Sequence, residues 1–200
     1  MMQSHPEPPL PTCPNTGPAP AAKPRANAFW CSTMAAIDAA GGLTAAFGRI
    51  AATRMAGLPM NNPALHVATI GFRPWAEGYS VGVLITPWAI NLVVLGHGLH
   101  LAADCRQTWD FPSGSYEFMG GEEPECGAFQ FCSLFSPAFE FADQDTAEAT
   151  GREIMTGLFV EPPGAAAEQR EIARLTGGSA LQVPTSRRSF LRGIVGGLKA

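Results

Sequence analysis

Charge is the scarcest resource in this 200-residue chain. Asp, Glu, Lys and Arg make up 15% of it, against about 25% in ordinary domains. That excludes a charge-rich disordered polymer and a coiled coil. Tyrosine occurs twice, and residues 1–28 hold no aromatic residue at all. The chain has no Gly-rich phosphate loop, no GxSxG, no HExxH and no paired CxxC, so the common sequence signatures of enzymes are missing. The N-terminus has neither a basic region nor an apolar core of the secretory type, and is not expected to be a signal peptide. The longest apolar run, Val81 to Leu95, covers fifteen residues and is broken by Pro87 and Asn91. Spanning a bilayer takes about twenty, so no membrane insertion is expected. Five cysteines without a regular framework suit a reducing compartment, and the cytoplasm is the expected location.

What is present is uneven. Net charge is −4, which gives a nucleic-acid partner no global electrostatic case. Residues 1–100 carry +2, residues 101–184 carry −10, and the last sixteen residues carry +4 from Arg187, Arg188, Arg192 and Lys199. Twenty-two glycines and eighteen prolines argue against a helical bundle. Eight of those prolines lie in residues 1–28, which are expected to be a disordered leader.

From Phe29 the composition becomes that of a folded unit. Thr44 is placed to cap a helix running to about Met55, after an interruption at Gly41-Gly42. Its apolar face comprises Ala45, Phe47, Ile50, Ala51 and Met55. Strand-like segments follow at His66–Phe72, Tyr79–Thr86 and Ala89–Leu95, with a turn at Glu77-Gly78. Ser115–Met119 and Ala128–Leu134 form a second hairpin across a Gly120–Gly127 loop. Asp143 to Val160 reads as a helix capped by Asp143 or Asp145, burying Ala147, Ile154 and Leu158. The expected fold is a single α+β domain, mainly an antiparallel sheet packed with two or three helices, over residues 29–160. Residues 161–184 form a linker and residues 185–200 a mobile basic tail.

Candidate chemistry is thin. His97, His100 and Cys105 lack the tight ligand pairs of a structural zinc site, and no metal or cofactor is expected. Cys126 and Cys132 are about 20 Å apart on an extended chain, too far for a redox pair. Asp104, Asp110 and Glu117 have no nucleophile partner in view, and no catalytic residue is assigned.

Three segments carry more. They are Gly82-Val-Leu-Ile-Thr-Pro-Trp88, Phe111-Pro-Ser-Gly-Ser-Tyr-Glu-Phe118 and Phe131-Cys-Ser-Leu-Phe-Ser-Pro137. In order and spacing they resemble the HybE/HupJ family of [NiFe]-hydrogenase assembly chaperones, from about Thr44 to Val160 and again at the arginine pair. The resemblance implies a non-enzymatic, cytoplasmic accessory protein of hydrogenase maturation. Its implied partner is a hydrogenase subunit, the small subunit or its twin-arginine signal before export, with other maturation factors besides. Each segment has a structural role as a strand end or turn. Each also supplies an aromatic (Trp88, Tyr116, Phe135, with Phe139 nearby) to edge a groove for a partner peptide. Glu140, Asp143, Asp145 and Glu148 cluster where a client's arginine pair would find carboxylates. Ser186-Arg-Arg-Ser-Phe-Leu-Arg192 nearly reproduces the twin-arginine pattern S-R-R-x-F-L-K, which adds Arg187 and Arg188 to the candidate partner-binding residues. An alternative function in the same pathway is redox or metal handling, in iron–sulfur or oxygen-protection steps, through Cys105, Cys126 and Cys132.

Overall fold

The computed structural model describes residues 40–161 apart from 77, 103 and 104. The expected leader, the linker beyond residue 161 and the basic tail, with Arg187 and Arg188, lie outside the described residues, as does Asp104.

Helix α1 (residues 40–52) is followed by β1 (Ala68–Pro74), β2 (Tyr79–Ile85), β3 (Ile90–Gly96), β4 (Arg106–Phe111), β5 (Gly114–Glu123), β6 (Gly127–Phe135) and α2 (Gln144–Gly157). The strands make one antiparallel sheet in the order β1-β2-β3-β6-β5-β4. Two meanders thus join through the central pair β3 and β6, and the 97–105 segment carries the chain from the centre to the far edge. The expected α+β class holds.

The apolar run from Val81 to Leu95 follows from burial on both faces. Val81, Val83, Ile85, Ile90, Leu92 and Val94 point to one side, where Ala147, Ile154, Met155 and Leu158 of α2 meet them. Leu84, Val93 and Leu95 point to the other, against Leu43 of α1 and Phe129 of β6. Side chains alternate along a strand, so a strand covered on both sides is apolar at nearly every position, with Asn91 of β3 the buried polar exception. Each fully buried branched residue here contributes about 1.5–3 kcal/mol relative to exposure.

The sheet is strongly curled. Six strands at about 4.8 Å spacing would hold flat edges about 24 Å apart. Yet Trp75, directly after β1, stacks on Phe111 of β4 with centroids 4.2 Å apart, and meets Trp109 edge-on at 5.1 Å. Tyr79 and Phe159 extend this aromatic seam. Inside it, the Trp109 indole donates to Gln130 Oε1 at 2.7 Å, and the Gln130 amide donates to Gln107 Oε1 at 2.8 Å. The buried polar side chain is thereby satisfied.

Several expectations need correction. Residue 40 is already helical, and Gly41-Gly42 lie inside α1 rather than interrupting it. Thr44 is not a cap; its hydroxyl donates back to the Ala40 carbonyl at 3.0 Å. The buried face is Ala40, Leu43, Ala46 and Ile50, while Ala45 is exposed. Gly42 is required where it stands: a Cβ there would sit 2.5 Å from the Glu125 carbonyl oxygen, where α1 crosses the β5–β6 turn. That turn is shorter than expected, because β5 continues to Glu123. Strand β4, at the sheet edge, was not anticipated. α2 agrees with its expectation at the N-terminus and in its buried residues but ends at Gly157 rather than Val160: Asp143 caps it, accepting from the Thr146 amide at 2.7 Å, and Ala147, Ile154 and Leu158 are buried.

Candidate binding surface

Three loops converge at one end of the sheet, and Asn62 holds them together. Its backbone amide donates to the Pro87 carbonyl at 2.7 Å. Its side-chain amide donates to the Ala138 and Phe141 carbonyls at 2.9 and 2.7 Å, and its Oδ1 accepts from the Ala64 amide at 3.0 Å. The side chain is buried and fully used. The segment after α1, the β2–β3 turn and the segment after β6 are therefore fixed against one another.

The β2–β3 turn owes its shape to Thr86. Its hydroxyl donates to the Ala89 carbonyl at 2.7 Å and accepts from the Ala89 amide at 3.0 Å. Pro87 and Trp88 form the tip, and Trp88 is half-buried, stacked at 6.4 Å on Phe47 of α1. After β6, a cis Ser136-Pro137 bond leads into Ala138, which is buried, and Phe141, which lies edge-on to Phe135 at 5.1 Å. Between them Phe139 points outward, 55% exposed. Leu58 and Met60, at 40% and 43% exposure, stand on the segment that leads into Asn62. Exposed large apolar side chains on loops tied together in this way are candidates for an interaction surface.

The candidate aromatics thus divide. Trp88 and Phe139 belong to this surface. Tyr116 and Phe135 do not edge a groove, because both face the core. The Tyr116 hydroxyl is 3.0 Å from Ser113 Oγ, and burial pushes its phenol up. Leu58, Met60 and Asn62 escaped sequence reasoning. Their signal was two large apolar residues in the Gly-, Pro- and Asn-rich run Gly57-Leu-Pro-Met-Asn-Asn-Pro63.

The acids divide as well. Asp143 is occupied in capping α2, and the Thr146 amide holds its carboxyl below the usual range. Glu148 accepts from Arg152 at 2.8 Å and from the Gln144 amide at 3.2 Å. Glu140 and Asp145 face solvent, and partial desolvation pushes the Glu140 carboxyl up. The first-turn acid also suits the positive end of the helix dipole. Elsewhere, Arg49 and Arg54 of the first half neutralise acids of the second. Arg49 Nη2 lies 2.8 Å from Glu123, Arg54 pairs with the same carboxylate, and Arg49 holds Glu125 down to about 2.

Cys105 is disulfide-bonded, which corrects the expectation of thiols in a reducing compartment, and Cys126 and Cys132 offer little reactivity. Burial, with Glu123 and Glu125 adding to it, pushes the Cys126 thiol up to about 11, and Cys132 is buried in the core. His100 approaches Glu122 at 3.6 Å on the surface. Among the described residues no three His, Cys, Asp or Glu side chains are grouped as a metal site. No described helix is long and apolar enough to cross a membrane.

Similar proteins place the chain in a family. Residues 38–193 match the family model for the [NiFe]-hydrogenase assembly chaperone HybE. Protein HoxT of Cupriavidus necator is 42% identical over 142 residues, 63% of this chain and 78% of the relative. The hydrogenase expression/formation protein HupJ of Bradyrhizobium diazoefficiens is 35% identical over 152 residues, 76% of this chain and 85% of the relative. The solution structure of HybE from Escherichia coli matches the fold with a TM-score of 0.51 at 23% identity, covering 66% of this chain and 80% of that one. The three quoted segments, the curled antiparallel sheet and these matches agree: the chain belongs to the HybE family of [NiFe]-hydrogenase assembly chaperones.

Proposed function

We propose that this protein is a non-catalytic cytoplasmic chaperone that holds the hydrogenase small subunit, through its twin-arginine signal, before export. The contact surface is the loop end of the sheet: Leu58, Met60, Trp88 and Phe139 take the apolar part of the signal, and Glu140 and Asp145 take its guanidinium groups. The observation that carries this assignment is the Asn62 clamp, which fixes three loops bearing exposed Leu58, Met60 and Phe139 and half-buried Trp88. A surface fixed in advance loses little entropy on binding. Carboxylates bind guanidinium groups in bidentate fashion, which suits an arginine pair. Asp143 and Glu148 are engaged within the fold, so they support the local negative field rather than making the primary contact.

The test is a pull-down with the small subunit carrying or lacking its signal, repeated with Phe139→Ser and Trp88→Ala. Phe139→Ser removes an exposed ring, so it leaves stability within about 0.5 kcal/mol and weakens small-subunit binding about tenfold. Trp88→Ala costs about 1–2 kcal/mol of stability, less than a fully buried aromatic truncation, and weakens binding too. Loss of binding when the signal is removed supports the assignment. Equal binding without the signal, or both variants binding normally, overturns it.

A further inference from the structure

We infer that the protein's own C-terminal segment, residues 185–193, occupies the same surface in the absence of a client and is displaced when one arrives. The inference rests on the proposed twin-arginine contact and adds its regulation.

Four observations meet here. First, the chain leaves the described fold just after α2, and the exit is anchored: the Ser113 amide donates to the Leu158 carbonyl at 3.2 Å. Second, α2 runs from that exit back to the acidic end of the surface. Its 14 residues span about 21 Å at 1.5 Å per residue, with Asp145 in its first turn and Phe139 and Glu140 just before its cap. Third, about 25 residues separate Glu161 from Arg187. A coil of that length has an r.m.s. reach of about 25–30 Å, which matches the length of α2. Effective concentration is greatest at such a match, around millimolar. Fourth, the segment has the right chemistry. Ser186-Arg-Arg-Ser-Phe-Leu-Arg192 pairs adjacent guanidinium groups with Phe190 and Leu191, and the last sixteen residues carry four positive charges and no acid. The surface offers the complement: exposed Glu140 follows exposed Phe139 in the chain, and Asn62 ties this segment to the one that carries exposed Leu58 and Met60.

Occupancy follows from these numbers. At an effective concentration of ~1 mM, any intrinsic Kd below ~100 μM leaves the site more than about 90% filled and weakens client binding about tenfold or more. A client whose signal is followed by further contacts outcompetes it, whereas a short adventitious arginine-rich peptide does not.

The experiment compares the full chain, a chain ending at Pro184, and the full chain with Arg187→Gln and Arg188→Gln. Each is titrated against a fluorescein-labelled decapeptide containing Ser-Arg-Arg-Ser-Phe-Leu-Lys, by anisotropy at 50 and 300 mM salt. Thermal melts check that all three are folded. Tenfold or tighter binding by both altered proteins, weakening as salt rises, is the expected result. Equal binding by all three overturns self-occlusion while leaving the proposed client contact standing. Weaker binding after truncation also overturns it, and makes Arg187 and Arg188 part of the client surface. No binding by any of the three overturns the client contact itself.

Discussion

Replacing Asn62 with alanine tests whether one side chain organises the binding end of the sheet. The substitution removes two donated hydrogen bonds, to the Ala138 and Phe141 carbonyls, and one accepted from the Ala64 amide. Each is worth about 0.5–1.5 kcal/mol net, and buried groups left unpaired cost more. The expected loss is about 3–4 kcal/mol, which lowers the melting temperature of a unit this size by about 10–15 °C. Two companion variants separate causes. Asn62→Leu keeps the volume and loses the same hydrogen bonds, so it isolates the polar contribution from any cavity. Asn62→Asp retains the acceptor for Ala64 but sets a carboxylate against two carbonyl oxygens, so it is worse than alanine. The assay is urea denaturation, with hydrogen exchange of the amides from Phe139 to Asp143 as the local readout. Those amides exchange faster in Asn62→Ala by more than the global loss explains, and client affinity falls in parallel. A cost below about 1 kcal/mol, with the aspartate tolerated as well as alanine, refutes the clamp.

Three further outcomes follow from other parts of the fold. Gly42→Ala raises intrinsic helix propensity by about 1 kcal/mol, yet destabilises the protein by about 1–3 kcal/mol, because the new Cβ meets the Glu125 carbonyl at 2.5 Å; a stabilised variant in denaturant titration contradicts this. Cys126, raised from 9.0 to about 11, is alkylated at pH 8 about 100-fold more slowly than an unperturbed thiol, as peptide mapping by mass spectrometry measures. The Glu125 carboxyl, held at about 2 by Arg49, titrates in carbon-detected NMR well below 4.5, and Arg49→Gln returns it towards that value. Because its folded pKa is depressed, the pair stabilises fully above about 4.5, and the contribution is lost as pH falls from there towards 2. High salt narrows the difference, since both groups are exposed.

Burial pattern decided how much of this fold was legible in the sequence. β2 and β3 were plain because burial on both faces leaves an apolar run that only Pro87 and Asn91 interrupt. α2 was equally plain, with Asp143 in a cap position and its buried residues at helical spacing. β4 was missed because an edge strand needs few apolar positions: in Arg106–Phe111 only Trp109 and Phe111 are buried. The helical state of Gly41-Gly42 was missed for a different reason. Gly41-Gly42 reads locally as a break, whereas Gly42 is there so that the β5–β6 turn can approach the helix. The site was half legible. A strand-end aromatic reads the same whether it faces core or solvent, so Trp88 and Phe139 could not be told from Tyr116 and Phe135. The clamp left no local signal, since the three carbonyls to which Asn62 donates, those of Pro87, Ala138 and Phe141, are distant in sequence.

The curled sheet has a consequence for a member of an assembly chaperone family. An open sheet edge templates pairing with any extended chain, without regard to sequence, and so invites aggregation. Here both edges are short and guarded. β1 is interrupted by a bulge between Ile70 and Arg73 and ends at Pro74, and the Arg73 guanidinium lies over the Phe159 ring at 3.4 Å. β4 exposes Arg106 and Asp110 and is drawn towards β1 by Trp75 and Phe111. With backbone pairing discouraged at both margins, the proposed recognition of a client would rest on side chains at the loop end rather than on strand addition.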